Sequence, residues 1–433
     1  MRLINTKTLE THEFLPAYIP RYAILSHRWQ EEEVSFKQYS KRHNGSEALT
    51  EIEQFCRIAR ERQTEWAWID TCCIDSRSSA ELSEAINSMW RWYKGAAECY
   101  VYLCDVHTQE LSSDVLAQVE KSEWFTRGWT LQELIAPGYR VFFTSEWNDI
   151  GTIDSGGTAF SQMVMRDSSK IEDSSVILLL AISRTSKVPF LCLQASSVKS
   201  FSIGERLSWS ANRTTSRPED VAYSLMGLLD VNMPLLYGEG KQKAFTRLQL
   251  ELLKKSNDTS LFAWQYPRSS LYVPLRRDRG LLASSPAKFA NFRHKRSPMD
   301  DSGLTMAGKN PSLIPYEMTN RGLYLHVGCY RIQSRKIAWL CVLWCVPLLK
   351  EGTAIFLEHA VGQDPKSSPV SARRTSLIEW DVLSPRGRLL LEGAQRPISV
   401  EDDLDASCSL VYLAEDQRGK LDQCEFYIEQ DHL

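Results

Sequence analysis

The chain has 433 residues, room for two or three domains at roughly 150 residues each. It is 43% hydrophobic and 24% charged, too apolar for a disordered chain. Its 51 Lys+Arg against 54 Asp+Glu leave a net charge of -3, a balance that argues against a nucleic-acid binder over the whole length. The N-terminal stretch alternates apolar and polar positions and builds no signal-peptide core of about 7–15 apolar residues. The longest apolar run, Ile337 to Leu349, holds Pro347, is flanked by Lys336 and Lys350, and is too short to span a bilayer at about 1.5 Å per residue. Eleven cysteines form no CxxC pair and, with no secretory signal, read as reduced thiols of a cytoplasmic protein. Eight scattered histidines give no zinc-ligand spacing, so neither a metal nor a membrane segment is expected.

The first 150 residues alternate strand and helix patterns. Tyr22–Ser26 is a short apolar strand, and residues 46–62 carry Leu49, Ile52, Cys56 and Ala59 at helical spacing. Trp66–Asp70 reads as the next strand. Ser78 and Glu81 form a capping box opening a helix with Leu82, Ala85, Ile86, Met89 and Tyr93 on one face. Cys99–Cys104 is a third strand, a polar linker leads to Trp124, and Gly128–Ala136 is helical up to Pro137-Gly138. Val141–Phe143 is the core of a fourth strand. This alternation predicts an α/β fold with an open parallel sheet covered on both faces. Residues 151–175 read as a linker and 176–260 as mainly helical, with Ser216 and Glu219 opening one helix through Leu229 and Lys241–Lys255 forming another. From about 265 onward, short β-like runs at 322–327, 337–346 and 410–414 predict a β-rich C-terminal module. The expected domains are 1–150, 151–265 and 266–433.

Ligands of open α/β sheets bind outside the carboxyl ends of the strands. The residues predicted there are Ser26, His27, Arg28 and Trp29, then Asp70, Thr71 and Cys72, then Asp105. Arginine grips phosphate bidentately and an indole covers a ring, which makes this loop a candidate substrate site. The alternative is structural: Trp29 plugs the sheet edge and Arg28 pairs with Glu31, Glu32 or Glu33. Glu133, framed by apolar residues in 124–137, is either the partner of an arginine such as Arg127 or a functional acid in a cleft. Gly238–Lys241 lacks the Walker spacing, and Gln242 stands where that motif needs Ser or Thr. The basic stretch 268–296, eight Lys/Arg against one Asp, has too few aromatics for a stacking track, so no nucleic-acid partner is expected.

Three blocks, Tyr22–Trp29, Ala67–Asp75 and Arg127–Pro137, resemble the signature blocks of the fungal heterokaryon-incompatibility (HET) domain, with Ser79–Met89 also similar. Residues 217–230 and 236–240 resemble the segment that follows this domain, so the resemblance covers about residues 1–265. It implies fungal nonself recognition ending in programmed cell death, with an unknown incompatibility partner protein and self-association through the domain. It also implies a distant relation to the Toll/interleukin-1 receptor (TIR) fold, a flavodoxin-like sheet. Trp129–Leu134 is similar to a TIR string whose glutamate hydrolyses NAD. On that resemblance Glu133 takes the catalytic position, and Ser26, His27, Arg28 and Trp29 line a nucleotide pocket. NAD+ is then a substrate rather than a cofactor, and no cofactor is expected. The competing class is a non-enzymatic death adaptor acting by self-association or partner binding.

Overall fold

The computed structural model describes residues 1–29, 33–41, 47–107, 112–156, 174–195, 198–256, 258–264, 282–290 and 292, and the backbone of strands between 317 and 428. The chain parts into two compact units, one of residues 1–198 and 213–236, the other of 199–212 and 237–433. The span 151–265 thus contributes residues to both.

The first unit contains strands β1 (Arg2–Asn5), β2 (Thr11–Glu13), β3 (Tyr22–Ser26), β4 (Trp66–Trp68), β5 (Glu98–Tyr102), β6 (Tyr139–Phe143) and β7 (Asp149–Asp154). Between and after them lie α1 (Phe36–Lys41), α2 (Glu47–Glu61), α3 (Asp70–Cys73), α4 (Ser79–Gly95), α5 (Ser113–Lys121), α6 (Thr130–Ile135), α7 (Ser174–Ser186) and α8 (Phe190–Ala195). The sheet order is β2-β1-β4-β3-β5-β6-β7. β3 pairs in parallel with β4 and β5, and β5 in parallel with β6. β1 and β7 run antiparallel to their neighbours, so the sheet is mixed rather than wholly parallel. Every residue of β3 and β5 is buried, as expected of central strands covered on both faces.

On one face Phe55 of α2 meets Tyr100 edge-on at 5.4 Å. On the other, Tyr93 of α4 packs edge-on against Trp68 at 5.8 Å, and Cys99 Sγ lies 3.9 Å from the Glu133 carbonyl of α6. Ser78 Oγ caps α4 by accepting from the Glu81 amide, but the Glu81 carboxylate accepts from the Asp75 amide and Arg2 instead of closing a reciprocal box.

Several expectations shift. β4 stops at Trp68 because Asp70 already begins α3. The polar linker before Trp124 is helical over α5, capped by Ser112 and burying only Val115 and Val119, too thin a stripe to read. Residues 149–154, partly assigned to a linker, form β7, whose Ile150 and Ile153 are buried. Residues 157–173 of that linker lie outside the described residues. The helix expected from Ser216 to Leu229 is only α10 (Asp220–Tyr223) followed by turns, and Ser216 Oγ accepts from Arg127 rather than capping it.

In the second unit, α9 (Ile203–Ser208) is capped by Ser202, and its Ile203 and Gly204 amides donate to Asp258 and Ser260. α11 (Lys241–Lys255) carries Gln249, whose amide clasps the Ala283 backbone through both donor and acceptor. Nine further strands between Glu317 and Ile428 pair into one nine-stranded sheet. Most of the basic stretch 268–296 lies outside the described residues.

Candidate functional site

The four parallel strands run β4-β3-β5-β6, so the winding reverses between β3 and β5. Such a reversal opens a crevice at the carboxyl ends of the strands. β3 delivers Ser26 to this point, fully buried. The Ser26 hydroxyl donates to Glu133 Oε2 at 2.6 Å and accepts from Trp124 Nε1 at 3.0 Å. The β3 end and α6, 107 residues apart in sequence, thus meet through one hydrogen bond.

Local structure fixes this meeting. Asp105, just beyond β5, accepts from Ser122 Oγ and from the Glu123 amide, each at 2.7 Å, holding the 3-10 turn 123–126 that carries Trp124. Thr130 Oγ1 donates to the Trp124 carbonyl at 2.6 Å and accepts from Arg213 Nη1 at 2.9 Å. The turn and α6 are therefore tied together beside Ser26. At the far end of α6, Arg140 donates to the Leu134 carbonyl at 2.8 Å.

Glu133 is 4% exposed. Burial and the nearby Asp70 charge push its carboxyl up to about 8, against the opposing pull of the Ser26 hydrogen bond, His27 and Arg127. Burial acts on His27 in the opposite sense, but Glu33, 3.4 Å from Nε2, together with Asp70 and Glu51, holds the imidazole up at about 9. Burial also raises Asp70 and Glu51, with His27 pulling both back. The end of β3 thus gathers a cluster of carboxyl groups around one imidazolium. A carboxyl so tuned exchanges its proton near neutral pH, the range in which acid–base groups work.

The predicted residues divide. Ser26 and Glu133 are joined directly, and His27 and Asp70 lie within electrostatic reach of Glu133. Arg28 pairs with Glu123; of the acidic run that follows it, Glu31 and Glu32 lie outside the described residues. Trp29 is 49% exposed, so it does not plug the sheet edge; its Nε1 donates to Asp70 at 2.9 Å and its ring faces outward. Cys72 is fully buried beside Cys73 and Cys56, and burial holds its thiol well above the usual range. It is not among the groups gathered at Ser26. Asp105 serves the turn that carries Trp124. Trp124 is not among the predicted site residues, and neither are Glu51 and Arg213, while Glu33 enters the sequence reading only as a partner for Arg28. Trp124 and Arg213 are revealed only by contacts over long sequence separations.

Among the described residues, no cluster of His, Cys, Asp and Glu is placed to hold a metal ion, and no helix is long and apolar enough to cross a membrane.

Residues 22–115 match the family described as Heterokaryon incompatibility protein (HET). The match begins at β3 and ends in α5, before the helix that carries Glu133. The chain is 42% identical over 243 residues to "Vegetative incompatibility protein HET-E-1" of Podospora anserina. That alignment covers 54% of this chain but only 16% of the relative, so the chain spans a small part of that protein's length. No solved structure matches. The Ser26 and Asp70 blocks both lie inside the matched region, so the similarity to the heterokaryon incompatibility family rests on the part of the chain that carries the β3 end and α3.

Proposed function

We propose that this protein is an effector of heterokaryon incompatibility that brings on cell death through TIR-like hydrolysis of NAD+ in the crevice at the end of β3. The observation that carries the reading is the hydrogen bond between Ser26 and Glu133, which joins two of the HET-like blocks at one strand end. The parallel order β4-β3-β5-β6 supports a flavodoxin-like comparison, since it follows the second-first-third-fourth order of that fold. β7 stands antiparallel where a fifth parallel strand would continue it.

In this reading water replaces nicotinamide on the ribose, giving ADP-ribose, nicotinamide and a proton. Nicotinamide leaves as a neutral base, so no general acid is needed and one carboxylate suffices where glycosidases use two. Glu133 stabilises the positive charge that develops on the ribose. The pyridinium of NAD+ favours the ionised carboxyl, offsetting the burial that holds it neutral in the free protein. Arg28 neutralises pyrophosphate, and the open face of Trp29 stacks on a ring.

The burial of Ser26 and Glu133 favours a second reading, in which the domain signals by self-association or partner binding without turnover. Induced expression in a filamentous fungus separates the two, with wild type beside Glu133→Ala and Arg28→Ala and with cellular NAD and viability followed together. The enzyme reading expects NAD loss before death with wild type, none with Glu133→Ala and a weaker fall with Arg28→Ala. Death at constant NAD, equally strong with Glu133→Ala, leaves the adaptor.

A further inference from the structure

We infer that Trp124 is a positioning residue for Glu133, acting through Ser26: its indole N–H fixes the Ser26 hydroxyl so that its proton points at Glu133 Oε2. This rests on the reading of Glu133 as the working carboxyl, and it adds how that group is held and which of its oxygens carries the proton.

The argument is one of donors and acceptors. An indole nitrogen can only donate. With Trp124 Nε1 3.0 Å from Ser26 Oγ, the serine oxygen must accept there. Its single proton is then free for the nearest acceptor, Glu133 Oε2, at 2.6 Å. A serine hydroxyl without the indole can rotate and accept a proton from the carboxyl instead. Trp124 occupies one of the two serine lone pairs and so biases the hydroxyl proton toward Glu133. Oε2 is consequently the favoured acceptor, and the neutral form of Glu133 then keeps its proton on Oε1.

Trp124 is held firmly enough for this. It is 1% exposed, its carbonyl accepts from Thr130 at 2.6 Å, and its ring packs edge-on against Phe125 at 4.9 Å. The relay is therefore set before any ligand arrives, which is what a preorganised carboxyl requires. The other groups that act on Glu133 or feel its charge are Asp70, His27, Arg127, Tyr93, Cys99 and Arg213, and none lies on the 3-10 turn that presents Trp124.

The test titrates the Glu133 carboxyl in the full chain by infrared difference spectroscopy, its band identified by its loss in Glu133→Gln. Ser26→Ala is expected to raise the midpoint by about one pH unit, tenfold in proton affinity. Trp124→Phe should raise it by about half as much, and the double variant no further than Ser26→Ala. A midpoint unmoved by Trp124→Phe, or shifts that simply add, overturns the relay. Should Trp124→Phe not fold, the wild type still decides through the NMR resonance of the Trp124 indole N–H. That resonance should move as Glu133 ionises and stop moving in Glu133→Gln; a resonance indifferent to pH overturns the inference. NAD+ turnover is scored separately. A linked titration without turnover retains the relay and removes the enzyme, whereas turnover without linkage does the reverse.

Discussion

Replacing Glu133 by Gln should make the first unit more stable above neutral pH while removing the proposed activity. In the folded protein the carboxyl is held at about 8, against 4.5 ordinarily, with burial the main cause. A folded value raised above the unfolded one means that stability is greatest below pH 4.5 and declines as pH rises to about 8, because the unfolded chain releases the proton first. At about 1.36 kcal/mol per pH unit, the full interval sets a ceiling of ~5 kcal/mol on this loss. Gln cannot ionise, yet its carbonyl can still accept from Ser26, so the variant escapes the decline without losing the hydrogen bond. Hydrogen exchange, read by mass spectrometry on peptides covering β3 and α6, localises the effect where a global melt of a two-unit chain would not. Protection in Glu133→Gln should match wild type near pH 5 and exceed it at least tenfold by pH 8. A wild type equal to or better protected than the variant at pH 8 would refute the account. It would make Glu133 a stabilising residue, with no cost for function to explain.

Three further outcomes follow from the same geometry. Asp70→Asn removes a negative charge that raises both Glu133 and His27, so each should titrate lower by about half a unit or more in infrared and NMR titrations, and an upward move of either contradicts the charge cluster. Gly227→Ala would place a methyl 2.3 Å from Trp90 Cβ and 3.2 Å from Gln132 Oε1, and should cost about 1–3 kcal/mol in urea unfolding followed by tryptophan fluorescence. Thr130→Val keeps the shape of the side chain but takes a hydrogen-bond acceptor from buried Arg213 and a donor from the Trp124 carbonyl. It should destabilise by about 2 kcal/mol and loosen exchange protection across residues 124–133.

The central strands were legible because burial on both faces writes itself as unbroken apolar runs: β3 was read at its observed bounds, and Lys241–Lys255 was equally clear from its spacing. The antiparallel margins were not. β1 and β7 are short segments whose pattern carries little apolar signal, and their direction follows from pairing rather than composition. At the site, sequence reasoning put Ser26 at a strand end from its pattern and Glu133 beside it by resemblance, but nothing local tells that the serine accepts from Trp124 and donates to Glu133. Arg28 shows the limit most plainly. Its nearest acids in sequence are in the run after it, yet a partner the structure gives it is Glu123, brought over by the turn that Asp105 holds.

The excursion of the chain out of the first unit at residue 198 and its re-entry at 213 has a practical consequence. The Gly128 amide donates to the Thr214 carbonyl, the Thr214 amide to the Thr126 carbonyl, and Arg213 to the Arg127 carbonyl and Thr130. A fragment ending near residue 150, or where the family match stops at 115, would leave behind the strap on which α6 leans. The compact unit runs to residue 236, so a fragment carried that far is expected to keep the strap. Shorter pieces found inert in a killing assay would testify to a missing buttress, not to a missing chemistry.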